Sequence, residues 1–366
     1  MSGSYLRRDL KRQLSHSGRV PREGIREILK LEIKEITWSE RMNNIAKFYR
    51  KIIAVIGVVL LVAGFTRTSW AEDERDFSDK PKFTRIDVPG AFEVSEAFGI
   101  NAQGEIVGTY WALLKGGIVL HGFRLSNGTF TTIDVNLPGA FPGSTNGQGI
   151  NSRGDIVGAY ETGNGNTEAG FLLRKGTFTQ IPVPGPFTVA VGINSRGDIV
   201  GTYVDSSNIG HSYVLSEGTL TNIDVPGALT GSTTANAINA EDDIVGTYTD
   251  SSGKLHGFLL SEGTVTNIDV PGALAGSTTP FGINRRGDIV GSYTDSGHIG
   301  HGFLLSKGTF KRIDVPVAFG IGTVAYGINS QGNIVGTYYD GSGTHGFLLT
   351  RFGEKEENSP PPRDLE

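Results

Sequence analysis

Short segments with alternating apolar and polar residues run from about residue 82 to residue 350 and are separated by Gly, Asn, Asp and Pro. Three of them are DIVGTY (243–248), HGFLLS (256–261) and TVTNIDV (264–270). They are rich in Val, Ile, Thr, Tyr and Phe, and their period of two is typical of β-strands. The pattern therefore predicts an all-β fold for this part of the chain.

The strands recur as a repeat of about 45 residues. A (G/A)IN triplet opens six copies, at Gly99, Gly149, Gly192, Ala237, Gly282 and Gly327, with spacings of 50, 43, 45, 45 and 45 residues. Each copy predicts four strands: strand a ends at the triplet, b contains IVG, c contains HGFLL or a variant, and d ends near IDV. Four-stranded units of this length are typical of β-propeller blades.

The two ends of the repeat region are complementary fragments. KFTRIDVPG (82–90) is a strand d without a preceding strand c, and HGFLLT (345–350) is a strand c without a following strand d. We therefore predict that residues 82–350 form a six-bladed β-propeller of four-stranded blades, closed by the N-terminal strand that completes the last blade. An open β-solenoid is the alternative, but it has no use for complementary half-units and needs capping segments.

The GINxxGDIVG segment and the HGFLL strand resemble the HAF repeat family of extracellular repeat proteins. The resemblance covers essentially residues 82–350. His-Gly-Phe stands in four copies here, His-Ser-Tyr at 211–213 and Ala-Gly-Phe at 169–171. The resemblance implies export and a repeat architecture, and it implies no chemical activity.

The segment before the repeats is typical of an export signal. IIAVIGVVLLVAGF (52–65) is too short to span a bilayer and follows Lys47, Arg50 and Lys51, with Ser69 and Ala71 at the small-residue positions. We predict a signal peptide at 42–71 that starts at Met42 and is cleaved after Ala71, and a secreted, periplasmic or extracellular protein. Residues 1–41 are then an extension before the true start. A cytoplasmic segment beginning at Met1 and an uncleaved signal anchor are the alternatives.

Composition narrows the possible functions. The chain has no Cys, which excludes disulfides, thiolate catalysis and Cys-ligated metals. Residues 72–366 carry a net charge of −13, so nucleic acid is not an expected partner. Residues 72–81 are predicted to be a linker and 351–366 a disordered, Pro-rich tail. We expect a monomer without cofactors, in contact with a membrane only through an uncleaved signal segment.

Five histidines are predicted to face aspartates across strands c and d. A two-residue turn such as Glu262-Gly263 fixes the register and places His256 opposite Asp269. The same count predicts His121–Asp134, His211–Asp224 and His301–Asp314, and ring closure predicts His345–Asp87. Such a pair ties strand d to strand c, and in the second copy both partners are replaced, by Ala169 and Pro182.

These histidines could instead be metal ligands, but ligands on separate blades cannot converge on one ion. We therefore favour structural pairs and expect no metal site and no catalytic residue. The b–c and d–a loops emerge on one face of a propeller, and the candidate binding residues there are Trp111, which opens the apolar loop WALLKGGIVL, and Asp205, Asp250, Asp295 and Asp340. The alternative for these aspartates is a set of solvated turns.

The sequence favours an exported, non-catalytic repeat protein that binds a protein, a glycan or a surface polymer. It contains no nucleophile elbow, HExxH motif or phosphate-binding loop. The alternative is a polysaccharide hydrolase or lyase that uses loop carboxylates such as Glu161, Glu168, Asp205 and Asp250.

Overall fold

The computed structural model describes residues 82–350 except 116, 164, 166 and 319–321. The predicted signal peptide, linker and C-terminal tail lie outside these residues. The described chain is all β, with twenty-four strands in those ranges. It includes no helix long and apolar enough to cross a membrane.

The described strands fall into six groups of four, and the first of them, β1 (Lys82–Ile86), belongs to the last group. Group 1 contains β2 (Ser95–Ile100), β3 (Ile106–Leu114), β4 (Gly117–Ser126) and β5 (Thr129–Ile133); group 2 contains β6 (Asn146–Ile150), β7 (Ile156–Thr162), β8 (Thr167–Arg174) and β9 (Thr177–Gln180). Group 3 contains β10 (Phe187–Ile193), β11 (Ile199–Val204), β12 (Gly210–Ser216) and β13 (Thr219–Ile223). Group 4 contains β14 (Thr234–Ile238), β15 (Ile244–Thr249), β16 (Leu255–Ser261) and β17 (Thr264–Ile268); group 5 contains β18 (Thr279–Ile283), β19 (Ile289–Thr294), β20 (Gly300–Ser306) and β21 (Thr309–Ile313). Group 6 contains β22 (Thr323–Ile328), β23 (Ile334–Tyr339), β24 (Thr344–Thr350) and β1.

Neighbouring strands within each group pair antiparallel. Groups 1, 4 and 5 each form a separate four-stranded sheet in chain order, and group 6 has the order β1-β24-β23-β22. In group 6, β1 pairs with β24 from Lys82↔Thr350 to Ile86↔Gly346. Groups 2 and 3 are joined into one eight-stranded sheet by the single parallel pair Phe187↔Glu168 between β10 and β8. The sheets are open, and four-stranded antiparallel units of this kind are propeller-like.

The first strands of the six groups contact one another in a cycle, β2, β6, β10, β14, β18, β22 and again β2. Their backbones approach closely: a Cβ on Gly327 would lie 2.7 Å from the Phe98 carbonyl oxygen, and one on Gly282 would lie 2.5 Å from that of Tyr326. Real Cβ atoms do not come this close to backbone, so glycine is required where the neighbouring strand crosses at Gly282 and Gly327. The same close approach accounts for glycine at five of the six triplets, while Ala237 stands at the sixth.

A second cycle consists of hydrogen bonds from side-chain amides. Asn101 Nδ2 donates to the Asn151 carbonyl at 3.1 Å, and Asn151, Asn239 and Asn284 donate in the same way to the next group. Asn194 donates to Asp242 Oδ1 instead, because the following turn has the sequence AEDD. Asn329 returns to the Asn101 carbonyl at 3.1 Å, across 228 residues. The turn asparagines thus link neighbouring groups in addition to shaping their own N-x-x-G turns.

The hydrophobic core lies between neighbouring sheets. The aromatic residue in the middle of each strand c is fully buried at Phe123, Phe171, Tyr213, Phe258, Phe303 and Phe347. Phe123 packs with Ile100 of its own group and with Ile86 and Val335 of group 6. Each interface therefore buries apolar side chains from both faces of a sheet, which accounts for strands with apolar residues on both sides.

The c–d connections are tight hairpin turns with positive φ at both central residues, as in Glu262 (φ 49°) and Gly263 (φ 77°). This is the geometry of a type I′ turn, and it fixes the register that places strand d opposite strand c. One predicted loop is corrected. WALLKGGIVL is not irregular, because β3 and β4 continue pairing to Leu114↔Gly117 and project as a β-hairpin beyond Tyr110↔His121.

Candidate functional site

The two ends of the strand groups differ in their exposed side chains. We call the end with the b–c and d–a connections the loop face, and the end with the a–b and c–d turns the turn face. All nine large hydrophobic side chains that are exposed in the described ranges lie on the loop face: Leu113, Leu114, Ile118, Ile209, Leu229, Leu274, Ile299, Val317 and Tyr339. The turn face carries ion pairs such as Arg196–Asp198 and Arg286–Asp288. Among the described residues, the large apolar side chains that could contact a partner are therefore all on the loop face.

The recurrent histidines lie at the base of the loop face, between two aspartates. His256 Nδ1 is 2.9 Å from Asp269 on the strand d side, and His256 Nε2 is 3.2 Å from Asp250 in the b–c loop. The same arrangement joins His301 to Asp314 and Asp295, at 2.8 and 3.1 Å, and His345 to Asp87 and Asp340, at 2.9 and 3.1 Å. The predicted pairs and the predicted loop aspartates thus belong to one Asp–His–Asp chain in groups 4, 5 and 6.

These chains hold the b–c loops in a fixed shape. Asp250 Oδ1 accepts hydrogen bonds from the backbone N–H groups of Ser252 and Lys254, at 2.8 and 2.9 Å, while Oδ2 contacts His256. The Ser252 hydroxyl, the Lys254 N–H and His256 hold the pKa of Asp250 well below its usual range. The Asp314 hydrogen bond raises the pKa of His301 against the opposing effect of burial, with further help from Asp295. The loop aspartates are therefore ionised hydrogen-bond acceptors, and an ionised carboxylate cannot act as a general acid.

In groups 1 and 3 the histidine bonds to one aspartate instead of two. His121 Nδ1 lies 2.6 Å from Asp134, but the b–c connection of group 1 is the projecting hairpin, where Trp111 pairs with Leu120. The prediction for His211 needs correction. Within the described residues it bonds to Asp205 at 3.1 Å and not to Asp224. The backbone register is the same as in the other groups, since Ser212 pairs with Ile223, and the His211 ring stacks on Tyr203 as His121 and His256 stack on their tyrosines. Neither the register nor the stacking therefore explains the missing contact with Asp224.

Group 2 has neither the histidine nor the strand d aspartate of the Asp–His–Asp chain, and the hydrogen bonding of its d–a junction also differs. In the other five groups a backbone N–H after strand d donates to a Ser or Thr hydroxyl of the next strand a, as from Val270 to Thr278 at 3.0 Å. After Pro182, the Val183 N–H instead donates to the Ile181 carbonyl at 2.9 Å. The equivalent hydroxyl, that of Thr188, is buried without a hydrogen-bond partner. Strand β9 is also shortened, to four residues.

Group 2 has a carboxyl pair one position along the strands from the missing histidine. Glu161 and Glu168 are direct cross-strand partners in β7 and β8. Burial and the charge of Glu161 raise the pKa of Glu168 to about 8. The Glu168 N–H donates to the Pro186 carbonyl at 3.0 Å, which brings the d–a loop of this group over the pair. Of the four carboxylates expected in the hydrolase alternative, this pair therefore has a protonated member near neutral pH.

The first strand of every group carries a β-bulge at the same place. The register shifts between Ala97 and Gly99 in β2, and at the equivalent positions of β6, β10, β14, β18 and β22. The extra residue varies among the groups: Phe98, Gln148, Val191, Asn236, Phe281 and Tyr326. We call these six residues, with Glu96 and Asn146, the central cluster. A bulge redirects a side chain, and here it presents the variable member of an otherwise regular repeat.

The central cluster has an aromatic side. The Tyr326 ring contacts the Phe98 ring at a centroid distance of 5.0 Å and the Phe281 ring at 4.8 Å, which joins groups 5, 6 and 1. Glu96 is the second residue of β2, near the end of the strand that meets the loop face. Burial raises its pKa to about 7. Burial and the charge of Glu96 also raise the pKa of Tyr326.

The central cluster was not among the predicted candidates. The signal was nevertheless present, because the position before the (G/A)IN triplet holds five residue types in six copies while its neighbours recur. Counting residues along the sequence does not reveal a β-bulge, so the variation at this position could not be interpreted until the strand register was known. In the described part of the chain, no group of three or more His, Asp or Glu side chains is arranged to hold a metal ion.

No protein-family model matches the chain, so the resemblance to the HAF repeat family stays an expectation. No curated protein matches it either. Among solved structures, the chain is similar to AofleA from Arthrobotrys oligospora, with 14% identity, a TM-score of 0.46 and coverage of 75% of this chain and 87% of that one. It is also similar to an Aleuria aurantia lectin in complex with Fucalpha1-6GlcNAc, with 12% identity, a TM-score of 0.45 and coverage of 73% and 94%. A gluconolactonase from Xanthomonas campestris has 14% identity, a TM-score of 0.43 and coverage of 74% and 90%.

Proposed function

We propose that the chain is an exported, non-catalytic six-bladed β-propeller that binds a protein, glycan or surface polymer through its loop face. The closed ring is supported by the pairing of β1 with β24 and by the Asn329 hydrogen bond that returns to Asn101. Export rests on the signal-like segment 52–65, which lies outside the described residues. N-terminal sequencing of the exported protein tests it, and a mature end far from Glu72 contradicts it.

The observation that carries the binding function is the confinement of exposed large apolar side chains to the loop face. A solvated surface without a partner has no reason to sort such side chains to one end, while an interface gains free energy from burying them. They are mainly Leu, Ile and Val, which favours a protein partner over a glycan because sugar recognition relies on aromatic rings and polar groups.

The Asp–His–Asp chains support the same function. They fix the b–c loops before any ligand arrives, so less conformational entropy is lost on binding. Loops that served only as connections would not need a carboxylate bonded at once to two backbone N–H groups and a histidine, as Asp295 is. We infer that the repeated Asp–His–Asp hydrogen-bond chains hold the loop face rigid, and that the variable apolar residues of this face determine the partner.

A protein and glycan array tests this function. We expect a ligand of wild-type protein to be lost when Leu113, Leu114 and Ile118 are all replaced by Ser, since these three side chains are exposed on the projecting hairpin. The matched control replaces Lys175, Glu217 and Lys307 of the turn face by Ser. If the control variant loses the ligand and the hairpin variant keeps it, the loop face is not the binding surface.

A polysaccharide hydrolase or lyase is the second candidate, and the Glu161–Glu168 pair is the observation that favours it. A carboxyl with its pKa raised to about 8 beside a second carboxyl is suited to general acid and base roles. Reducing-sugar or unsaturated-product release is the assay. Activity that is abolished in Glu168→Gln and retained in the hairpin variant supports the enzyme, and no release from any polysaccharide supports the binding function.

A further inference from the structure

We propose that the central cluster is a binding site for a small organic ammonium cation. This site is separate from the apolar surface of the loop face and does not depend on which macromolecule that surface binds. The inference rests on the bulges, on the unpaired polar atoms of the cluster and on its aromatic side, which are taken in turn.

The bulges supply the geometry. Six strands that contact one another in a cycle each insert one extra residue at the same level, and five residue types occupy these six positions. A frame that served only for stability would repeat one packing residue here, as it repeats the phenylalanine of strand c. Non-identical side chains on a repeated backbone feature are the expected arrangement of a site that recognises an asymmetric ligand.

The Glu96 carboxyl is the charged member of the cluster, and it makes no hydrogen bond with any residue that the structure describes. Gln148 Nε2 donates to Asn146 Oδ1 at 2.8 Å, and Asn236 Nδ2 donates to the Pro280 carbonyl at 2.7 Å. These bonds orient the two amides and leave on each the side-chain oxygen and one N–H. An ammonium group can donate to the Glu96 carboxylate and to these two amide oxygens.

The aromatic side also selects a cation. The Tyr326 ring contacts both Phe98 and Phe281, and the charge of Glu96 acts on Tyr326. The faces of aromatic rings attract ammonium groups, and a carboxylate close to them adds a full opposite charge. A primary alkylammonium offers three donors, a charge and an apolar tail, which match the acceptors, the carboxylate and the rings.

Binding of such a cation must be coupled to the protonation of Glu96. The pKa of this carboxyl is raised to about 7 by burial, so it is partly protonated near neutral pH. A bound cation favours the ionised form, and affinity is therefore full above the free pKa and falls as the pH drops below it. Tyr326 on β22 is the titratable group that feels the charge of Glu96. The facing residue on β3 is Thr109, and β6 presents Asn146 and Gln148. Two other titratable groups on strands packed against β2 are buried, Tyr110 and Tyr338, and their rings contact His121 and His345. The remaining ones are His345 in its Asp–His–Asp chain, and Lys82, Arg85 and Tyr339, which are exposed.

Calorimetric titration of the full chain with propylammonium, and with 1-propanol as the neutral analogue, tests the proposal. We expect saturable binding of propylammonium only, weakened at least about tenfold in Glu96→Gln because a charge-assisted hydrogen bond is lost. Glu262→Gln, which removes the same charge from an exposed c–d turn, is the matched control and should bind as wild type. For wild-type protein the affinity should fall about tenfold between pH 8 and pH 6, as the carboxyl is protonated, and in Glu96→Gln it should not change.

Three results overturn the proposal: equal binding of 1-propanol, no saturable binding of propylammonium, or an unchanged affinity in Glu96→Gln. If Glu96→Gln does not fold, as judged by circular dichroism, the pH profile of the wild-type protein decides instead. A profile that is flat between pH 8 and pH 6 then contradicts the site. Loss of the array ligand in the hairpin variant, with propylammonium binding retained, would separate this site from the loop-face function.

Discussion

Two histidine–aspartate pairs with the same local geometry test whether these pairs stabilise the frame. In His256–Asp269 and in His345–Asp87 the distance from Nδ1 to the carboxylate is 2.9 Å. The side chains are 11% and 42% exposed in the first pair and 8% and 41% exposed in the second. The pairs differ in connectivity, because Asp269 follows its histidine by 13 residues and Asp87 lies 258 residues away. A double-mutant cycle on each pair separates local interaction from ring closure.

The expected coupling free energy is about 1 kcal/mol in each cycle. Exposed ion pairs contribute about 0.2–1 kcal/mol and hydrogen bonds to charged groups about 1.5–3 kcal/mol, and a buried imidazole facing a half-exposed carboxylate lies between these cases. Because distance and exposure match, the two cycles should agree to within about 0.5 kcal/mol. Urea unfolding of the single and double Ala variants provides the values. Coupling below about 0.3 kcal/mol in both cycles would refute the view that these pairs are part of the frame.

The different sequence separation of the two pairs should affect how easily strand d opens locally, and not the coupling free energy of the pair. Strand β17 is held next to β16 by the two-residue turn Glu262-Gly263, so it re-forms easily after a local opening. Strand β1 has no such turn to β24. Hydrogen exchange should therefore show a larger loss of amide protection in β1 for His345→Ala than in β17 for His256→Ala. Equal losses would show that another contact holds β1, and closure would then not depend on His345.

Three further predictions concern single positions. The Asp314 hydrogen bond is the largest cause of the raised pKa of His301 in the folded protein. The stability that this histidine contributes is therefore complete below its unfolded pKa and is lost as the pH rises through its folded pKa. In urea unfolding, the stability difference between wild type and His301→Gln should be larger near pH 6 than near pH 8.5. Gly327→Ala should destabilise the protein by about 2 kcal/mol or more, since its Cβ would lie 2.7 Å from the Phe98 carbonyl oxygen; Ala237→Gly, at the one triplet that has alanine, is the control and should cost less than about 1 kcal/mol in the same measurement. Glu262→Asn should raise stability by about 0.5–1 kcal/mol in thermal unfolding, because Glu262 has φ 49° and asparagine, present at the equivalent Asn127, tolerates that conformation; an unchanged or lower midpoint contradicts this.

The strands and their order could be predicted because they depend on local signals that are repeated. Alternation with period two, turn residues and half-units at the ends are each visible in the chain without its structure. The position of Asp87 near His345 followed from two counts, the hairpin register and the pairing of the end fragments. A tight turn transmits register reliably over a few residues, so residues that the count places opposite each other near the hairpins lie close together.

The path of the b–c loops could not be predicted in the same way. Nothing in the six-residue separation of Asp250 and His256 says that the loop folds back, and the contact at His256 Nε2 depends on the Asx-type turn that Asp250 makes with Ser252 and Lys254. The bulges were missed for a related reason. Phe98 and Gly99 occupy positions that a regular alternation would assign to opposite faces, and the extra residue becomes visible only as a shift in pairing. Loop paths and bulges are set by tertiary contacts, which sequence periodicity does not encode.

The exceptional second group shows how one substitution can alter a whole junction. Proline at 182 has no N–H and a fixed φ, and the next N–H, that of Val183, turns back to Ile181 instead of reaching Thr188. With no aspartate at 182, a histidine at 169 would have had no partner across the strands, and Ala169 packs in the core instead. The short loop that follows brings the Pro186 carbonyl to the Glu168 N–H and closes over the carboxyl pair. The group that lacks the Asp–His–Asp chain therefore contains a carboxyl, that of Glu168, whose pKa is raised to about 8 beside a second carboxyl, and any acid–base chemistry on the loop face is to be sought there first.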